Sequence, residues 1–188
     1  MPQIQSVASA SSALGPGAGM KYRIELGDRV AQPVRLWYPL AAMGARTTAR
    51  EAALQMLFAI EAGNAEVDQA IGDFWRELPG DAEGRPYADE AVRGVRASVV
   101  DLDARIVRAS TNWRLERMTR VDRNLLRLGA WELVHQVDVP RAVVLDEAVE
   151  LAKRFGTEEG GAFVNGVLDR IADDCGRQDE PRTATGAP

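Results

Sequence analysis

Histidine and cysteine are almost absent from this chain of 188 residues: it holds one of each, His135 and Cys175. One cysteine excludes an intrachain disulfide and a cysteine-based zinc site, and it fits a reducing compartment. One histidine excludes a histidine-rich metal centre. No apolar run approaches the roughly 18–20 residues that a membrane-spanning helix needs. No GxGxxG or GxxxxGK[ST] occurs, so no standard phosphate-cradling loop is present. Period-two alternation is nearly missing too, and strands are therefore not expected. The formal net charge of −5 argues against wholesale binding of nucleic acid. A local basic patch could still do so, because distribution matters more than the total.

The first 44 residues lack periodicity. "SVASASSALGPGAGM" is rich in small residues, and "VRLWYPLAAMGA" is too short and too late for a signal peptide. Residues 1–44 read as a disordered extension. Patterned sequence begins just after Met43, which suggests Met43 as the true translation start. Residues 45–175 form the expected folded domain, and 176–188 a flexible polar tail.

Within that domain the spacing predicts six helices. "TARE" at 48–51 has the form of a capping box, and Ala53, Leu57 and Ile60 make one stripe of a helix over 48–62. Asn64 is placed to cap a second helix, whose face is Val67, Ile71, Phe74 and Leu78. Pro79–Gly80 stops it. Pro86 suits the first turn of a third helix. Val92, Val95, Val99, Leu102 and Ile106 carry that helix to about 109, a length of roughly 35 Å at ~1.5 Å per residue. Thr119 and Asp122 form another cap, and Val121, Leu125, Leu128 and Leu133 give a fourth helix to about 136. "VDVP" turns the chain. Val144, Ala148, Leu151 and Phe155 give a fifth helix, ending at Gly156 as a left-handed C-cap. Phe163, Val167 and Ile171 give a sixth. The expected fold is all-α, two packed three-helix bundles over 48–109 and 119–173.

Catalytic chemistry finds little support in this pattern. Glu158 and Glu159 are adjacent, so on a helix they point about 100° apart rather than at one substrate. Their expected role is to place negative charge at the start of the last helix. Gly166 inside that helix suggests a close helix–helix approach. His135 has no second histidine or cysteine to act with and reads as a partly buried helix-end residue. No nucleophile, base and orienting group assemble, so the protein is not expected to be an enzyme or to need a cofactor. Binding is better supported. Between Arg105 and Arg127 seven arginines stand against two acids. Arg117, Arg120, Arg123 and Arg127 recur at helical spacing, and guanidinium forks suit phosphates and carboxylates alike. Arg46 and Arg50 form a smaller basic point where a helix N-terminus already favours anions.

Two stretches go further than composition. "ARTTAREAALQMLFAIEAGN" (45–64) and "VDRNLLRLGAWELVHQVDVPRAVVLDEAVELAKRFGTEEGGAFVNGVLDRIA" (121–172) resemble the bacterial transcription antitermination factor NusB family. The second stretch is the more specific. An "LRL.A..EL" helix, a "DVP" turn, "EA.ELAK.FG" and "FVNGVLD" occur together, in order and at the family's spacing. The resemblance covers about 45–173, with a longer middle loop. It implies a cytoplasmic, all-helical protein that binds the boxA element of ribosomal RNA leader transcripts. It also implies a heterodimer with the NusE ribosomal protein, and indirect association with other Nus factors and RNA polymerase. "KRFGTEEGGAFVNG" then becomes a bend between helices beside the RNA surface.

By position, the resemblance assigns Arg46, Arg50, Gln55, Phe58, Glu159 and Phe163 to the RNA surface. It assigns Asp122 to the face associated with NusE, and Arg117, Arg120 and Arg123 join it there as candidate partner contacts. Two departures stand out. Thr47 and Thr48 replace arginines that many relatives carry, and Gly160, Gly161 and Ala162 replace a frequent Ser-His-Lys. Both changes remove charge or donors from the expected RNA surface, which weakens binding most visibly at moderate salt. They motivate an alternative, a helical protein-interaction module with weak or lost RNA binding. Some RNA methyltransferases carry a similar helical domain, but no glycine-rich cofactor-binding half follows it here.

Overall fold

The computed structural model describes residues 25–26, 29–30 and 44–177, except 81, 112 and 158. The chain divides into two units, 1–38 and 39–188. In the first, Glu25–Leu26 (β1) pairs antiparallel with Arg29–Val30 (β2), with Glu25 opposite Val30. The absence of alternation gave no hint of this short pair. Apart from it and Gly44, the expectations for 1–44, including a start at Met43, lie outside the described residues.

The second unit is helical. Its elements are α1 (Ala45–Gly63), α2 (Val67–Glu77), α3 (Arg85–Ala97), α4 (Val99–Ala109), α5 (Arg120–His135), α6 (Arg141–Phe155) and α7 (Gly160–Asp174). A single 3-10 turn, Leu115–Arg117, precedes α5. None of the described helices is long and apolar enough to cross a membrane.

Where the local chemistry is unambiguous, the sequence expectation holds. Thr119 caps α5 by accepting the Asp122 backbone N–H, and Pro86 sits in the first turn of α3. Several expectations are corrected. The helix expected over 87–109 divides at Ser98, whose N–H bonds Gly94 while its carbonyl accepts from Leu102. Apolar spacing runs unbroken through the division because α3 and α4 both face inward, but α3 packs on α1 and α4 on α5 and α7. The second half of the expected helix therefore joins the C-terminal group. The capping box at 48–51 does not form: α1 begins earlier, at Ala45 after Gly44. Thr48 Oγ1 instead donates to the Ala45 carbonyl, and Glu51 pairs with Arg154. Asn64 does not cap α2. It ends α1 in the left-handed region, at φ 49°, which asparagine tolerates. Gly156 ends α6 in extended rather than left-handed geometry. His135 is exposed, not partly buried. Of the supposed flexible tail, Arg177 is fastened to the carbonyls of Leu133, Gln136 and Val139.

One hydrophobic cluster joins the helices. Its axis is α5, which touches α1, α3, α4, α6 and α7. Leu125, Leu126, Leu128, Ala130, Trp131 and Leu133 on α5 are all buried. A helix surrounded on all sides has no solvent face, so Asn124, Arg127 and Glu132 are buried with it. Those polar groups must find partners inside the protein.

Candidate nucleic-acid and partner interface

Arg50 and Glu132 lie on apolar stripes: Arg50 one turn before Ala53 and Leu57, Glu132 one turn after Leu125 and Leu128. Packing α1 on α5 brings the two together. Arg50 Nε donates to both Glu132 oxygens, at 2.8 and 3.1 Å, and Arg50 Nη1 lies 3.7 Å from Glu147 of α6. The Tyr87 hydroxyl of α3 donates to the same Glu132 carboxylate. Burial raises the Glu132 carboxyl above the usual range, and the Arg50 charge opposes that rise. Burial, and then the Glu132 charge, holds the Tyr87 hydroxyl well above its ordinary value. Four helices are thus tied at one charged centre.

Arg50 is therefore corrected from a surface contact to an interior one: only 2% of it is exposed. Arg46, one turn earlier, reaches the surface. Its guanidinium carbon lies 5.0 Å from the centre of the Tyr87 ring and Nη2 is 3.6 Å from Asp138. The two threonines replace charge with internal bonds. Thr47 Oγ1 donates to Glu147 at 2.7 Å, and Thr48 is buried.

Gln55 and Phe58 are half-buried on α1. They sit between two interhelical ion pairs, Glu51 with Arg154 of α6 and Glu61 with Arg123 of α5. Burial raises the Glu51 carboxyl, and Arg154 counters it. Glu159 is exposed at the N-cap position of α7 and makes no side-chain cap bond. Phe163 is half-buried on α7, its ring centre 5.8 Å from that of Trp113.

Asp122 is corrected from a partner-facing group to a buried one, 6% exposed. Its Oδ2 accepts from Thr119 Oγ1, while Oδ1 has no hydrogen-bond partner among the described residues. It lies against the α6–α7 bend. A Cβ on Gly160 would stand 3.0 Å from Asp122 Oδ1, and one on Gly156 3.1 Å. Small residues at this bend thus make room for the carboxylate, a packing reason for Gly160.

The arginine run divides by burial. Arg127 grips Asp103 with two bonds of 2.7 and 2.8 Å. Arg123 bonds Glu61 and the Leu115 and Met118 carbonyls, and Arg105 bonds Asp101. Arg108, Arg114, Arg117 and Arg120 are exposed. Of the seven arginines three thus brace the structure and four are exposed to solvent. His135 lines an open groove of about 1020 Å³ with Asp89, Arg93 and Trp131. No cluster of three or more potential metal ligands exists among the described residues.

Sequence reasoning missed Glu132, Glu147, Tyr87 and Trp113. Glu132 and Arg50 carried a readable signal, opposite charges on two apolar stripes. Trp113 carried none beyond lying in the break between helices.

An all-α domain of two helix groups sharing one central helix, braced by buried ion pairs, is the class that the second unit defines. The chain belongs to the NusB family, whose family profile matches residues 47–173. It is 67% identical over 140 residues to the transcription antitermination protein NusB of Sorangium cellulosum, covering 74% of this chain and 100% of that one. To the Myxococcus xanthus protein of that name it is 48% identical over 134 residues, covering 69% and 96%. The solved structure of T. maritima NusB aligns at a TM-score of 0.64 and 38% identity, over 69% of this chain and 91% of that one. A structure of the antitermination factors NusB and NusE in complex with double-stranded RNA aligns at 0.64 and 26% identity, over 69% and 97%.

Proposed function

We propose that this protein is a transcription antitermination factor that binds boxA-type leader RNA of ribosomal RNA operons together with the NusE ribosomal protein. It works by binding rather than by catalysis, in the cytoplasm, within an RNA polymerase complex that holds other Nus factors. The observation that carries this reading is the 67% identity to a transcription antitermination protein over that relative's full length. The relative solved with NusE and RNA supports both partners. Arg46, exposed at the start of α1 beside Asp138 and Tyr87, is the α1 arginine that reaches phosphate; Arg50 and Asp122 act beneath the surface by positioning α1 and the α6–α7 bend.

A second reading, a protein-interaction module with weak RNA binding, has a specific observation in its favour: Thr47 donates to Glu147 and Arg50 pairs with it at 3.7 Å, so both are turned toward the protein. Fluorescence anisotropy of a boxA-like RNA, with and without NusE and at two salt concentrations, separates the readings. The antitermination reading expects salt-sensitive binding that NusE strengthens and a scrambled RNA does not reproduce. Arg46→Glu should weaken it and flatten the salt slope by about one unit per lost phosphate contact. A stable NusE complex that binds no RNA would favour the interaction module.

A further inference from the structure

Trp113 is 54% exposed, which leaves a large aromatic surface in contact with solvent. Its backbone is held by Ser110. Ser110 is buried, and its hydroxyl donates to the Trp113 carbonyl at 3.1 Å, while the Trp113 N–H returns a bond to the Ser110 carbonyl. The indole lies at 54° to the Phe163 ring. Both rings line a cavity of about 240 Å³, open to solvent, whose wall continues through Thr111, Gly166 and Arg170. Gly166 does not serve a close helix approach, as its sequence position suggested: a Cβ there would meet nothing within 4 Å. Its missing side chain keeps the cavity open.

The surroundings are cationic. Arg170 Nη1 is anchored on the Ala109 carbonyl and Thr111 Oγ1, at 2.8 and 3.3 Å, which fixes the guanidinium at the rim. Arg108 and Arg114, at either end of the segment that presents Trp113, are exposed. The neighbouring acids Asp169 and Asp173 are both engaged by Arg141. The volume lies below the roughly 300–1,000 Å³ of sites for larger organic ligands and suits a single ring system. Aromatic rings beside fixed arginines are the chemistry that holds an unpaired base and its phosphate.

We propose that Trp113 and Phe163 form a stacking site for one unpaired nucleobase of the bound RNA, with Arg170 at its rim. This deepens the RNA-binding reading and rests on it. By this assignment Trp113 selects unpaired over paired RNA rather than one base over another, because only a splayed-out base can enter and every base has a face to stack. A boxA-like RNA carrying one abasic position at a time is titrated into the NusE complex of the wild-type chain, Trp113→Ala, Trp113→Phe and Gly166→Leu. Trp113→Ala should lose roughly 5- to 150-fold in RNA affinity, the span of one base–aromatic stack, with the salt slope unchanged. Trp113→Phe should retain most of the affinity. Gly166→Leu places its side chain in the cavity, starting from a Cβ that meets nothing within 4 Å, and should lose affinity while melting no lower than the wild type. One abasic position should weaken the wild type but leave Trp113→Ala unaffected. Wild-type affinity in both Trp113→Ala and Gly166→Leu would overturn the stacking site and leave the RNA-binding reading standing. Loss of NusE affinity instead of RNA affinity would make the cavity a protein-docking site and overturn the proposal. No RNA binding by the wild-type complex would end both readings together.

Discussion

Arg50 and Glu132, 82 positions apart, meet at 2.8 Å in the interior with side chains 3% and 2% exposed. The pair is locally consistent with neither helix, since each member interrupts an apolar stripe. It becomes consistent when the stripes face each other. A buried pair of this kind is weak evidence of net stability, but its loss on one side is costly because the survivor stays charged and dry.

Arg50→Ala should therefore destabilise the protein by about 3–5 kcal/mol. Replacing both partners, Arg50→Met with Glu132→Leu, should recover most of that loss. Urea denaturation of the two single variants and the double variant checks this. Full additivity of the single losses would sink the account.

Stability should carry a pH signature from Glu132. Its folded-state value is raised, chiefly by burial. Between the ordinary carboxylate value and the raised one, the folded state holds a proton that the unfolded state does not. This contribution is fully present below the unfolded value and is lost as pH rises through the folded one. Subtracting the Glu132→Gln melting profile from the wild-type profile should show a difference that declines with rising pH across that window. Glu51, also raised, contributes with the same sign, so the subtraction isolates Glu132.

Gly94 and Gly166 should respond oppositely to alanine. A Cβ at Gly94 would lie 2.1 Å from Trp131 Nε1, so the buried indole must shift. Overpacking of this sort costs roughly 1–3 kcal/mol. Gly166 lies mid-helix in open space, and alanine there should stabilise by about 0.5–1 kcal/mol. Thermal melts of the two variants decide, and a shift of the same sign in both would contradict the packing described.

Thr119→Ala should cost about 1 kcal/mol, because the Thr119 side chain caps α5 through the Asp122 N–H. Thr119→Ser should restore most of it. The cost should exceed the hydrogen-bond loss in Thr48→Ala, measured against Thr48→Val, because the Thr48 hydroxyl bonds only its own helix backbone. Chemical denaturation of these variants compares them.

Much of this protein was readable in the order of its residues. Apolar spacing of three and four marked the stripes of α1, α2, α5, α6 and α7, because burial of one helix face imposes that period. Pro86 and Thr119 marked helix starts because their effect is local to one turn. The order of the "LRL", "DVP" and "FVNG" segments carried the family, since one helix, one turn and one further helix lie consecutively in the chain. Tertiary structure decided the rest. The division at Ser98 preserves the apolar phase, so spacing could not reveal it. Arg50 and Arg127 read as free cations until packing placed Glu132 and Asp103 against them. Asp122 read as a surface carboxylate until the α6–α7 bend closed over it. Trp113 found Phe163 only when α7 folded back beside the end of α4. A side chain's chemistry is written in the sequence, but its solvent exposure and its partner depend on segments far away along the chain, and burial decides whether an arginine braces the fold or meets a phosphate.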